Sequence, residues 1–122
     1  MRAAVFGSGA WGTAIALLLH DNGCNVTLWS KFENEADVLC TTRENPLLTG
    51  VKIPEGISIT TDIDAAAHGL DAAVLAVPSF ALRDTVEALR GRIADDCVVV
   101  CMSKGIEKDT SSLFTGIIKI IK

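Results

Sequence analysis

The stretch Ala3-Ala4-Val5-Phe6-Gly7-Ser8-Gly9-Ala10-Trp11-Gly12 decides the fold, because an apolar run ends in glycines spaced G-x-G-x-x-G and a helical pattern follows at once. Between a strand and a helix, this spacing is the fingerprint of a dinucleotide-binding loop. Gly7 permits the tight turn, Gly9 lets a pyrophosphate approach bare backbone, and Gly12 lets the helix pack against the strand. Ser8, Ala10 and Trp11 complete the loop, and a tryptophan at that place is unusual. The pyrophosphate would rest on the helix N-terminus, where unpaired N–H groups and the helix dipole favour an anion. An ordinary glycine turn is the alternative reading.

Outward from this loop, apolar runs alternate with helical patterns. A first strand spans residues 2–6, and Ile15, Leu18 and Leu19 mark a helix over residues 12–22 that Gly23 closes. Residues 25–29 read as strand two, and Phe32, Ala36, Leu39 and Cys40 as one face of a second helix. Residues 41–61 carry Pro46, Gly50, Pro54 and Gly56, so they read as a long connection with a short strand at 57–60. Residues 62–67 predict a short helix with an acidic first turn, ended by Gly69. Residues 72–77 are apolar on both faces, as a central parallel strand is. Leu82, Val86, Leu89 and Ile93 give the next helix its buried stripe, and residues 98–102 form the last strand. The expectation is an α/β fold, a doubly wound (Rossmann) and mostly parallel sheet with helices on both faces, incomplete at the C-terminus.

Composition agrees with one dinucleotide-binding domain over residues 1–122. Hydrophobic residues make up 49% and charged residues 21%, and no apolar stretch approaches membrane-spanning length. No secretory signal is visible at the start, which leads to a cytoplasmic expectation. With Lys and Arg at 11 against Asp and Glu at 15, the formal charge is −4, and no basic tract suits a nucleic-acid backbone. Cys24, Cys40, Cys97 and Cys101 are too scattered for a metal site and read as buried thiols. Cys97 and Cys101 should share one face of the last strand.

The strand ends collect Gly7 to Gly12, Ser30-Lys31, Pro78-Ser79 and Ser103-Lys104-Gly105 at one edge of the sheet, where ligands of open α/β sheets bind. At the end of strand two, an Asp or Glu normally bonds the adenosine ribose 2′-hydroxyl. Ser30-Lys31 stands there instead, which permits NADP and does not exclude NAD. Lys104 follows a buried strand and precedes a glycine, a place from which a lysine can hold a phosphate. An ordinary solvated lysine is the alternative for both.

Gly7-Ser8-Gly9-Ala10-Trp11-Gly12-Thr13-Ala14, Leu28-Trp29, Arg43-Glu44-Asn45, Val77-Pro78-Ser79 and Ser103-Lys104-Gly105-Ile106-Glu107 together closely resemble the N-terminal portion of NAD(P)-dependent glycerol-3-phosphate dehydrogenases. The resemblance implies hydride transfer between a nicotinamide (NAD or NADP) and dihydroxyacetone phosphate or sn-glycerol 3-phosphate, in a reaction that feeds phospholipid synthesis. It implies that the glycine loop and Trp11 lie against the dinucleotide, with Lys31 at its adenosine end and Pro78 at the cofactor site. Lys104 would reach both cofactor and substrate phosphate, and Arg43 and Asn45 would lie near the adenine side and the domain cleft. Ala10 departs from the serine common in bacterial members, so a side-chain contact is lost while the backbone contact stays.

Leu113, Phe114, Ile117, Ile118 and Ile121 form an apolar helical stripe before the chain ends at Lys122. Family members continue into a helical domain that supplies the general-acid lysine. The resemblance therefore implies a truncated cofactor domain with no catalytic residue of its own, inactive alone, from an enzyme that is a homodimer at full length. Other readings are a non-catalytic NAD(P)-sensing or interaction module, and the cofactor half of another 2-hydroxy or β-hydroxy acid dehydrogenase.

Overall fold

Strand β1 (Arg2–Phe6) runs into the glycine loop, and helix α1 (Ala10–Asp21) follows it, in a computed structural model that describes residues 1–102. Helix α1 begins two residues before the expected start, so Ala10 and Trp11 lie within its first turn. It ends as expected. Gly23, at φ 88°, donates to the His20 carbonyl and Cys24 to that of Leu19, the paired bonds of a Schellman cap.

Strand β2 (Asn25–Trp29) and helix α2 (Glu33–Thr42) come next. The long connection contains an unforeseen hairpin, β3 (Glu44–Asn45) with β4 (Leu48–Lys52), before β5 (Ser58–Thr60), the short strand expected at 57–60. Helix α3 (Ile63–Ala67), strand β6 (Ala72–Leu75), a single 3₁₀ turn (Ser79–Ala81), helix α4 (Leu82–Leu89) and strand β7 (Val98–Cys101) complete the described chain.

Five strands form a parallel sheet in the order β5-β2-β1-β6-β7. The chain winds outward from β1 first through β2 and then back through β6, so the direction of winding reverses between β1 and β6. Strand β1 alternates its side chains between two cores. Ala4 and Phe6 join Ala73, Leu75, Leu82, Val86 and Leu89 on the side of α3 and α4. Val5 joins Val26, Leu28, Val74, Ala16 and Leu39 on the side of α1 and α2. The doubly wound architecture is thus realised, with Ala73, Val74 and Leu75 buried in the interior of the sheet.

Several details differ from the periodic reading. Helix α1 packs Ile15 and Leu19 against the core as expected, but its fully buried residues are Gly12, Thr13 and Ala16, and Leu18 points outward with 61% of its surface exposed. Small residues let the helix approach closely, and that rotation carries Leu18 to solvent. In α2 only Ala36 and Leu39 are buried, since Phe32 is the exposed N-cap and Cys40 is exposed. Cys97 is buried and Cys101 is partly buried against the same core, as the strand spacing predicts. The acidic start of α3 is also as expected: the Asp62 carboxylate accepts from the Asp64 and Ala65 backbone N–H groups. Asp62→Ala should therefore cost about 1 kcal/mol. Thermal unfolding followed by circular dichroism checks this, and an unchanged midpoint would contradict it.

Candidate functional site

At the carboxyl ends of β1 and β6, where the winding reverses, lies a cleft of 920 Å³. Open α/β sheets hold their ligands in this crevice, and the volume is that of a small-molecule or cofactor site. Gly7 to Gly12 form its floor, with Lys31 on one side and Pro78 on the other.

The glycines have different causes. Gly7 takes φ +125°, and a Cβ on it would stand 2.7 Å from the Ala76 carbonyl carbon and oxygen. Neither the dihedral nor the space admits a side chain. A Cβ on Gly12 would stand 1.9 Å from the Gly7 carbonyl oxygen, so at this first turn α1 sits directly on the turn that ends β1. Gly9 is the contrast. Its φ is −68°, an ordinary value, and a Cβ there would meet no protein atom within 4 Å. Nothing inside the described chain requires glycine at position 9, and the bare backbone leaves the cleft open at the start of α1.

At that helix start Gly9 is the N-cap, no side chain caps the helix, and no acidic residue stands in its first turn. The first-turn N–H groups have no intrahelical acceptor, and the helix dipole adds positive potential.

Around the loop the interior turns polar. Of the four buried polar residues among those described, Thr13, Ser30, Asn45 and Thr85, the first three hydrogen-bond the glycine loop. Ser8 Oγ donates to Ser30 Oγ at 3.0 Å, and Asn45 Nδ2 donates to the Ser8 carbonyl at 2.8 Å. Buried polar groups must find partners, and here the partners they find are the loop's own atoms.

Lys31 sits at the cleft, its Nζ 5.8 Å from the centre of the Phe32 ring. Ser30 is buried behind it, donating to the Phe32 carbonyl and the Glu35 carboxylate at 3.4 Å each. Trp11 is 62% exposed over the cleft. Asn45 lines the cleft, whereas Arg43 turns away and donates to the Pro54 and Ile57 carbonyls at 3.3 and 2.8 Å, beside Glu55. Lys104 and the stripe from Leu113 to Ile121 lie outside the described residues. Sequence reasoning missed Phe80 and Leu47, which line the cleft with 87% and 71% of their surfaces exposed. The signal for Phe80 was an aromatic placed directly after Pro78-Ser79. Leu47 had none, because the hairpin that carries it was not foreseen.

Fold and cleft together define a doubly wound, Rossmann-type domain with its site at the reversal of the sheet. Residues 2–121 match the family model for the NAD-dependent glycerol-3-phosphate dehydrogenase N-terminus, and the chain belongs to that family. It is 41% identical over 119 residues to a glycerol-3-phosphate dehydrogenase [NAD(P)+] of Streptomyces griseus, covering 97% of this chain and 35% of that protein. The like-named protein of Fusobacterium nucleatum is 41% identical over 120 residues, covering 98% of this chain and 36% of its own length. Glycerol-3-phosphate dehydrogenase from Coxiella burnetii superposes with a TM-score of 0.90 at 27% identity, over 99% of this chain and 38% of that one. The chain thus spans about a third of the length of the relatives it matches.

Proposed function

We propose that this chain is the dinucleotide-binding part of a glycerol-3-phosphate dehydrogenase and holds NAD or NADP in the cleft between β1 and β6. The observation that carries the proposal is Gly9, an open position with no steric cause inside the protein, at the uncapped start of α1. A pyrophosphate fits there, since its oxygens need the space a Cβ would fill and the N–H groups a side chain would have capped. When bound, the cofactor supplies the hydride for exchange between dihydroxyacetone phosphate and sn-glycerol 3-phosphate.

In this reading the loop from Gly7 to Gly12 carries the pyrophosphate, with Ser8 and Ala10 giving backbone contact and Trp11 and Pro78 lying against the dinucleotide. Lys31 serves the adenosine end. Its position supports that role, because a cation at the N-terminal side of α2 is disfavoured by the helix dipole and needs another reason to be there. Lys104 is assigned to cofactor and substrate phosphate. The proton donor is assigned to no residue of this chain, which covers about a third of its relatives' length, and the chain alone is proposed to have no turnover. The full enzyme is proposed to be a cytoplasmic homodimer. Among the described residues, no helix is long and apolar enough to cross a membrane.

Calorimetric titration of NADH and NADPH into the parent chain and Lys31→Asp tests the assignment. Binding of both by the parent is expected, with NADPH weakened about tenfold more than NADH in the variant, through loss of a cation and gain of a repelling carboxylate at a partly screened site. Equal affinities in parent and variant would remove Lys31 from the site. No binding of either cofactor by the parent would overturn the proposed function.

A further inference from the structure

The hairpin of β3 and β4 places the Asn45 side chain beneath the glycine loop, 4% exposed, with its carboxamide fully engaged. Its Nδ2 donates to the Ser8 carbonyl at 2.8 Å and to Thr13 Oγ1 at 2.7 Å, and approaches the Gly9 carbonyl at 3.4 Å. Its Oδ1 accepts from the Leu47 N–H at 2.9 Å. Thr13 Oγ1 in turn donates to the Ser8 carbonyl at 3.4 Å. One buried amide thus joins the hairpin, the loop and the first turn of α1.

We infer that Asn45 is a positioning residue for dinucleotide binding, acting through the peptide units of Ser8 and Gly9. The described chain has no cis peptide bonds. In a trans peptide, the carbonyl and the following N–H point in opposite directions. Holding the Ser8 carbonyl inward therefore turns the Gly9 N–H away from the carboxamide, and the same holds for the Gly9 carbonyl and the Ala10 N–H. Gly9 and Ala10 line the cleft. The N–H groups that meet an anion are thus aimed from below, by a residue that never touches it. An amide is the side chain suited to this place. Two loop carbonyls and a hydroxyl face it on one side, which needs donors, and a backbone N–H faces it on the other, which needs an acceptor.

The inference rests on the proposed dinucleotide site and is tested with Asn45→Asp in the whole chain. Aspartate has the same shape and keeps the acceptor for Leu47, but it puts its second carboxylate oxygen, in place of Nδ2, against the Ser8 and Gly9 carbonyls. The readouts are the Kd of NADH, the Kd of adenosine (which carries no phosphate), and the unfolding midpoint. NADH should weaken by about tenfold or more, the factor that one lost hydrogen bond of about 1.4 kcal/mol produces, while adenosine changes less than twofold. A purely structural role would weaken both ligands together, and that result overturns the inference, as does unchanged NADH affinity. Should Asn45→Asp not fold, Thr13→Val decides. It removes the hydroxyl between Asn45 and the Ser8 carbonyl, and NADH affinity within twofold of the parent would overturn the clamp. A parent chain that binds no NADH overturns the dinucleotide site itself, and the clamp with it.

Discussion

Gly12→Ala is expected to destabilise the chain by about 3 kcal/mol, although glycine to alanine within a helix ordinarily stabilises by about 1 kcal/mol. The added Cβ would lie 1.9 Å from the Gly7 carbonyl oxygen and 2.9 Å from its carbon, both backbone atoms. The turn cannot move aside freely, because the Gly7 N–H is bonded to the Trp29 carbonyl at 3.0 Å and the Ala76 backbone lies where a Gly7 Cβ would stand. Helix α1 must therefore lift from the sheet, opening the contacts of Thr13 and Ala16. The clash outweighs the propensity gain, and the unfolding midpoint should fall by roughly 10 °C for a domain of this size. A midpoint equal to or above the parent's would show that the loop and α1 are not packed in this way.

Gly9→Asp should behave in the opposite sense, two residues after Gly7 in the same loop. The position has room and an ordinary φ, and aspartate is a favoured N-cap beside the positive end of the helix dipole. Stability should therefore hold or rise by up to about 1 kcal/mol. Dinucleotide affinity should fall by about a hundredfold or more, since the carboxylate occupies the anion's place, takes its N–H partners and repels its charge, a loss on the order of 3 kcal/mol. Thermal unfolding and NADH titration of the same preparation separate the two effects. Loss of stability would mean that Gly9 is structural after all. Retained affinity would move the pyrophosphate elsewhere.

What the sequence made legible was local. The strand ending in glycines, the helix after it, the Gly23 cap and the short helix with an acidic start after residue 61 all rest on residues a few positions apart, and the structure places them within two residues of the reading. The orientation of α1 was legible only in part. Counting large apolar residues at helical spacing selected Ile15, Leu18 and Leu19, of which Ile15 and Leu19 pack partly buried against the core and Leu18 is exposed, while the fully buried positions are Gly12, Thr13 and Ala16, whose smallness permits close approach and gives no signal in such a count. The hairpin was hidden by Pro46 and Gly50, which read as punctuation, while Gly50 in fact takes φ 82° within β4. The clamp beneath the loop was out of reach for a further reason. Asn45 meets Ser8 across 37 residues and Thr13 across 32, and no pattern in one sequence announces a pair that folding alone brings together. Family resemblance pointed to Asn45 near a cleft, and the hydrogen bonds supply what it does there.

In the proposed function a dinucleotide rests its pyrophosphate on the start of α1, at the reversal of the sheet between β1 and β6. Amide chemical shifts of the ¹⁵N-labelled chain, followed during NADH titration, test it most directly. The largest and saturable shifts are expected on Gly9, Ala10, Trp11 and Gly12, with a second set at Lys31 and Phe32. Shifts centred on the exposed face of β7 around Val98 and Val100, or none that saturate, would contradict it.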